Sequence, residues 1–142
     1  MAIVRLTRAI EFCSSLRYWN PELSDGENRR IFGRKSDPHG HNYELEVTLR
    51  GEPDPVTGMV VNLTHLKEVL DREIFARFDH RDLNRDTPYF EKEPPTPENF
   101  VRVIHRILLA ALPAGSLDQI RLKEDADTWV DLRAADAGQG VA

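Results

Sequence analysis

The sequence predicts an α+β domain, an antiparallel sheet with its helices gathered on one face. Three observations predict it. Residues 42–49 alternate apolar and polar side chains without a break. Two stretches in the middle of the chain repeat apolar residues at helical spacing. Strand-like patterns stand at both ends, so the order reads β, long loop, β, β, α, α, β, β.

Each element has its own warrant. Val4, Leu6, Ile10 and Phe12 share one parity while Arg5, Thr7 and Glu11 take the other, the period of a strand. Residues 14–38 read as irregular, with Pro21, Gly26, Gly33 and Pro38 as breakers. A loop of that length in a compact domain is usually functional or disordered. In 42–49, Tyr43, Leu45, Val47 and Leu49 oppose Asn42, Glu44, Glu46 and Thr48, a half-buried antiparallel strand. Residues 51–58 form a turn, and Met59-Val60-Val61 a short returning strand. A helix runs over about 63–78 on the stripe Leu66, Leu70, Ile74. A second starts at Thr96, a capping residue followed by Pro97 and Glu98, and ends at Pro113 and Gly115. Ile120 and Leu122 then pair with 129–132 as a hairpin across Asp125-Ala126-Asp127. The sheet's second face carries enough apolar partners for contacts between subunits.

Composition narrows the function classes. With 142 residues the chain is one domain, expected over 1–133, with 134–142 as a flexible tail. Acidic residues outnumber Lys plus Arg by 24 to 19, for a charge of −5, which disfavours a nucleic-acid-binding surface. No segment approaches the ~20 apolar residues of a membrane helix. Residues 1–8 lack the apolar block of a signal peptide, so a cytoplasmic protein is expected. The single cysteine, Cys13, excludes an intrachain disulfide and reads as a small buried hydrophobe.

Four constellations could carry chemistry. His39-Gly40-His41 places two imidazoles on one side of an extended chain, where both reach a zinc at about 2.0–2.1 Å, or else they are two loop histidines. Asp79-His80 follows the first helix. A carboxylate beside an imidazole fixes its tautomer and suits a proton shuttle, and the plain reading is a solvated helix end. Arg29, Arg30, Arg34 and Lys35 suit a phosphate-bearing ligand or form a charged loop. Glu124, ending a strand, can hold a pair of ring N–H groups, or is a surface carboxylate. His65 and His105 lie within helices and read as surface or packing residues.

Taken in order, several stretches resemble the 6-pyruvoyl-tetrahydropterin synthase family, which includes the 6-carboxytetrahydropterin synthases. They include Leu23-Ser24-Asp25-Gly26-Glu27-Asn28, Phe32-Gly33-Arg34, His39-Gly40-His41-Asn42-Tyr43, Thr57-Gly58-Met59-Val60, Asp79-His80, Leu83-Asn84, Pro88-Tyr89-Phe90 and Thr96-Pro97-Glu98-Asn99. The resemblance implies the tunnelling fold: a four-stranded antiparallel sheet with two helices, assembled as trimers that stack into hexamers, with active sites between subunits. It implies a lyase acting on 7,8-dihydroneopterin triphosphate, with zinc held by three histidines as cofactor. His39 and His41 match two zinc ligands, Asp79 and His80 the proton relay, Glu124 the pterin anchor, and Thr96 and Glu98 positions beside the pterin pocket.

Two positions depart from the family pattern. Leu16, in Phe12-Cys13-Ser14-Ser15-Leu16, stands where the first zinc histidine belongs. Lys35 stands where the family has its catalytic cysteine, and serves as a base only if burial or Arg34 makes its ammonium release a proton. The expectation is therefore weak or absent zinc and a pterin lyase of altered chemistry. The alternative is a paralog that binds pterin without turnover.

Overall fold

The computed structural model describes residues 2–138. Two 13-residue strands carry the sheet: β1 (Val4–Leu16) and β2 (His39–Gly51). They pair antiparallel from Val4 opposite Gly51 to Leu16 opposite His39. β1 thus runs past Phe12, where the apolar alternation stops. Cys13-Ser14-Ser15-Leu16 is weakly patterned, but the His39–Asn42 segment offers it a ladder partner, and pairing overrides the local signal.

The segment expected to be irregular contains a helix, α1 (Asp25–Phe32). Ser24 accepts the Glu27 N–H and Glu27 reaches back to the Ser24 N–H, a capping box that closes both orphan donors. Asn28, fully buried, bonds the Asn20 backbone through both ends of its amide. A 3₁₀ turn (Gly33–Ser36) then leads into β2.

Met59–Val61 is not a strand. Asp54 accepts from the Val56 and Thr57 N–H groups and its backbone bonds Met59, so the chain closes on itself in a local turn. Asn62 then caps α2, which runs over Leu63–Leu70, widens to a π-turn at Asp71–Phe75 and ends at Ala76–Phe78. Next comes β3 (Arg81–Asp82), parallel to β1, an element the sequence did not announce. Thr96 caps α3 (Pro97–Ala111), and β4 (Leu117–Lys123) and β5 (Trp129–Arg133) form the expected hairpin. The sheet order is β3-β1-β2-β4-β5, five strands rather than four, because β3 adds to the β1 edge. Ala134–Asp136 makes one 3₁₀ turn, while the expected tail beyond residue 138 lies outside the described residues.

The helices cover one face of the sheet. Phe100 of α3 sits against Phe12, Tyr43, Phe78 and Phe90 with ring centroids 5.0–6.1 Å apart across this aromatic cluster. The opposite face is largely polar, with Trp129 exposed on it beside Arg121 and Lys123. Thr7 and Thr48 hydroxyls meet at 2.7 Å, Arg5 bonds Asp118, and Arg121 clasps Asp131 with two contacts. Such exposed ion pairs contribute little to stability. No helix among the described residues is long and apolar enough to cross a membrane.

One core position is poorly matched. His105 of α3 is 1% exposed, and neither ring nitrogen has a partner. Burial holds its imidazole below the ordinary 6.5. The unfolded chain therefore takes up this proton first as pH falls, so stability is fully present above the ordinary value and declines below it. Replacing His105 by Leu should raise stability at pH 7 by about 1 kcal/mol, the scale of a buried unpaired polar group. Urea unfolding of H105L at pH 7 and pH 5 should also give a smaller acid loss than the parent chain. Lower stability with an unchanged acid loss would show that the ring is well accommodated.

Candidate functional site

The two faces of the paired β1–β2 ends carry two different groups of side chains. Alternation along β2 sends His39, His41 and Tyr43 to the helix-covered face. The ring centroids of His39 and His41 are 5.1 Å apart, nearly perpendicular. His39 Nδ1 lies 2.9 Å from the Asp37 carbonyl, which can only accept. The proton is therefore assigned to Nδ1, and Nε2 presents a lone pair. That Nε2 is buried and unpartnered, and so is the Nε2 of His41.

Glu124 follows β4 and stands behind His41. It is 3% exposed, and its Oε1 accepts the Tyr18 hydroxyl at 2.7 Å. His41 Nε2 is 3.0 Å from the same oxygen, but off the N–H direction, so the contact is Coulombic rather than a hydrogen bond. Burial lowers the His41 imidazole below its ordinary range, Glu124 opposes this, and His39 adds to it. Burial also pushes the Tyr18 phenol up, reinforced by the bond to Glu124. Tyr18 therefore remains a donor to the carboxylate. Sequence reasoning did not single out Tyr18. Nothing local marks it, since its partner lies 106 residues away.

The donor set does not fit a three-histidine zinc site. Leu16 lies opposite His39 on the same face, fully buried, and its side chain offers no donor beside the two imidazoles. Among the described residues, His39 and His41 do not come together with a third His, Cys or carboxylate within 4.8 Å. The two half-buried imidazoles each have an Nε2 with no hydrogen-bond partner among the described residues.

Asp79 and His80 stand at the sheet edge, laced to β1. Ser14 Oγ donates to the Phe78 carbonyl, His80 N–H to the Cys13 carbonyl, and Leu83 N–H to the Ser15 carbonyl. Asn84 bonds both the N–H and the carbonyl of Arg17. Asp79 Oδ1 accepts the Cys13 N–H at 3.0 Å, and Oδ2 lies 2.7 Å from His80 Nδ1. These bonds, the Cys13 one first, hold the Asp79 carboxyl below its usual range. His80 has φ +57°, a left-handed backbone costly for a residue with a Cβ. Its side chain is 80% exposed. Cys13, Ser14, Ser15, Gly40, His41, Asn42, His80 and Arg81 line a hollow of about 400 Å³.

The remaining candidates are dispersed. Lys35 is exposed, with Nζ 5.3 Å from the Tyr18 ring centre, so the burial a lysine base needs is missing. Thr96 uses its hydroxyl to cap α3 through the Asn99 N–H. Glu98 is exposed, and its charge is felt by Tyr18. Arg29 reaches Asp37 at 3.4 Å, and His65 is exposed on α2.

A family model described as 6-pyruvoyl tetrahydropterin synthase matches residues 5–135. The chain is 43% identical over 121 residues to a 6-pyruvoyl tetrahydrobiopterin synthase of Poecilia reticulata, covering 84% of this chain and 82% of that protein. It is 41% identical over 122 residues to the Homo sapiens protein of the same name, covering 84% of each. The structure of Caenorhabditis elegans 6-pyruvoyl tetrahydropterin synthase superposes with a TM-score of 0.89 at 31% identity, covering 94% of this chain and 97% of that one. The tunnelling fold expected from the sequence is thus the fold observed, with β3 as an added edge strand. On these grounds the chain belongs to the 6-pyruvoyl tetrahydropterin synthase family.

Proposed function

We propose that the chain is a lyase of the 6-pyruvoyl-tetrahydropterin synthase type, acting on 7,8-dihydroneopterin triphosphate, with a metal site changed at Leu16 and no cysteine at position 35. The observation that carries this reading is the buried Glu124 carboxylate, bonded by Tyr18 and approached by His41, whose Nε2, like that of the adjacent His39, has no hydrogen-bond partner. None of the described residues donates a hydrogen bond to Glu124 Oε2, which leaves that oxygen for a ring N–H of the pterin. A charge-assisted pair of this kind contributes about 1.5–3 kcal/mol. The ring then directs its side chain along His41 and His39, whose nitrogens meet the side-chain oxygens. The exposed cations Lys35 and Arg34 suit the triphosphate better than proton abstraction.

Asp79 and His80 move the protons. Asp79 fixes the His80 tautomer, so Nε2 is the atom that exchanges a proton with substrate. His80 projects outward from the sheet edge, which suits an active site shared between copies of this chain in a trimer or hexamer. Thr96 and Glu98 stand at the start of α3, where Glu98 adds negative charge toward the Tyr18 side of the pocket. A role confined to pterin binding is not favoured, because the relatives bear the synthase name and the relay pair is in place.

Incubation with dihydroneopterin triphosphate should release triphosphate, measured alongside the metal content of protein purified without added metal. Recovery of unchanged pterin would overturn the reading. Glu124→Ala should weaken neopterin binding by about tenfold to a hundredfold in a fluorescence titration, matching the loss of one charge-assisted bond; undiminished affinity would move the anchor elsewhere. Zinc is expected at less than one ion per chain. Leu16→His should strengthen zinc binding in a chelator competition, since it adds an imidazole opposite His39. Equal affinity in both proteins would mean that position 16 does not face the ion.

A further inference from the structure

We propose that Cys13 is the thiol base of this active site, paired with His80 and Asp79 as a Cys-His-Asp relay on the polar face of the sheet. The inference rests on the pterin-lyase reading for its substrate, but its geometry stands apart from that reading. Among the described residues, Cys13, Asp79 and His80 are the one trio of His, Cys or acidic side chains whose donor atoms lie within 4.8 Å of one another.

The sequence reading of Cys13 as a buried hydrophobe fails on parity. Phe12 and Ser14 point into the core, so Cys13 points to the opposite face, where it is partly exposed. Its Sγ is 3.8 Å from His80 Nδ1 and 3.8 Å from Nε2. Nδ1 is committed to the Asp79 carboxylate, which can only accept, so Nε2 carries the lone pair. A thiol in contact with an imidazole oriented by a third group is the arrangement that activates a nucleophile or base.

Three further features hold the trio together. Asp79 accepts from the Cys13 backbone N–H as well as from His80. The Cys13 carbonyl takes the His80 N–H at 2.7 Å, which pins the left-handed backbone of His80. All of this opens on the hollow bordered by His41. The other charged or titratable groups near the thiol are Arg81 at that hollow and, along the same face of the sheet, Glu11 of β1 and its β2 partner Glu44.

The step balances without an oxidant. His80 Nε2 takes the thiol proton, leaving a thiolate beside an imidazolium that Asp79 neutralises. The thiolate removes a proton from a substrate carbon next to a C=N or C=O bond. The C–H bond breaks, an S–H bond forms, and the electron pair becomes the new carbon–carbon double bond. The imidazolium returns its proton to the nitrogen or oxygen of the former double bond, so thiol and neutral imidazole are regained. The net change moves one proton from carbon to a heteroatom.

Two measurements on the full chain test this. In the first, iodoacetamide modification is followed by mass spectrometry from pH 5 to pH 9 in the parent and in His80→Gln. Modification of Cys13 at pH 7 should slow by about tenfold in the variant, with the rate–pH profile displaced to higher pH. Superimposed profiles would overturn the thiol–imidazole pairing, whatever the protein acts on. In the second, Cys13→Ser should lower kcat for triphosphate release from dihydroneopterin triphosphate by about a hundredfold while neopterin affinity is kept. Unchanged kcat would overturn the catalytic role. A parent protein that releases no triphosphate defeats the lyase reading and the substrate assigned to Cys13 with it, while the alkylation profiles still decide the pairing.

Discussion

The register of β1 against β2 is the constraint on which the rest depends. With Leu16 opposite His39 and Ser14 opposite His41, the two histidines and the leucine share the core face. The same register sends Cys13 to the other side. A slip of one residue would exchange the faces, exposing Phe12 and Leu16 while burying Cys13 and Glu11. Phe12, Tyr43 and Phe100 stacked in the core forbid that exchange. Aromatic packing some distance from the polar groups therefore decides which of them can meet.

Asp79 joins the helical layer to the sheet. The π-turn of α2 ends at Phe75, and the next turn delivers Phe78 into the core and Asp79 to the edge of β1. From there one carboxylate fixes the backbone of Cys13 and the ring of His80 together. The left-handed conformation of His80 costs about 1 kcal/mol or more and persists because bonds on both sides over-determine it. Strain of this sort, on an exposed histidine beside a hollow, is where a functional group is expected.

Much of the fold could be read from pattern because it is local. Tyr43 through Leu49 alternates for the reason that one face is buried, and Thr96-Pro97-Glu98 starts a helix for reasons of capping and dipole. The elements missed have different causes. α1 was legible in Ser24 and Glu27, but the breakers around it masked a short helix. The extension of β1 through Leu16 and the strand β3 depend on partners many residues away, and no local period encodes them. Met59–Val61 has the composition of a strand but no edge to join, so it stays in a turn. In the site, His39, His41, Glu124 and the Asp79-His80 pair were found through their residue types and a family resemblance. Tyr18 and the outward-facing Cys13 required the tertiary structure, because their importance lies in contacts across 106 and 67 residues.

Leu16 and Lys35, the two positions expected from the sequence to depart from the family pattern, lie in different surroundings. Leu16 fills a corner of the core with carbon on the face that also carries His39 and His41, whose Nε2 atoms have no hydrogen-bond partner among the described residues. Lys35 lies in solvent over the Tyr18 ring. A thiol is nevertheless retained in the protein, three residues before Leu16 and on the opposite face, in contact with the histidine that a relay needs. The polar chemistry is thus divided by the sheet itself. Under the proposed function, recognition of a flat heterocycle belongs to the groups on the helix side, and proton movement to the exposed groups at the β1 edge. His41 borders the hollow and also rests against Glu124. Burial holds its imidazole below the ordinary range although the Glu124 carboxylate favours the charged form, so under the proposed function this ring meets the substrate as a neutral group.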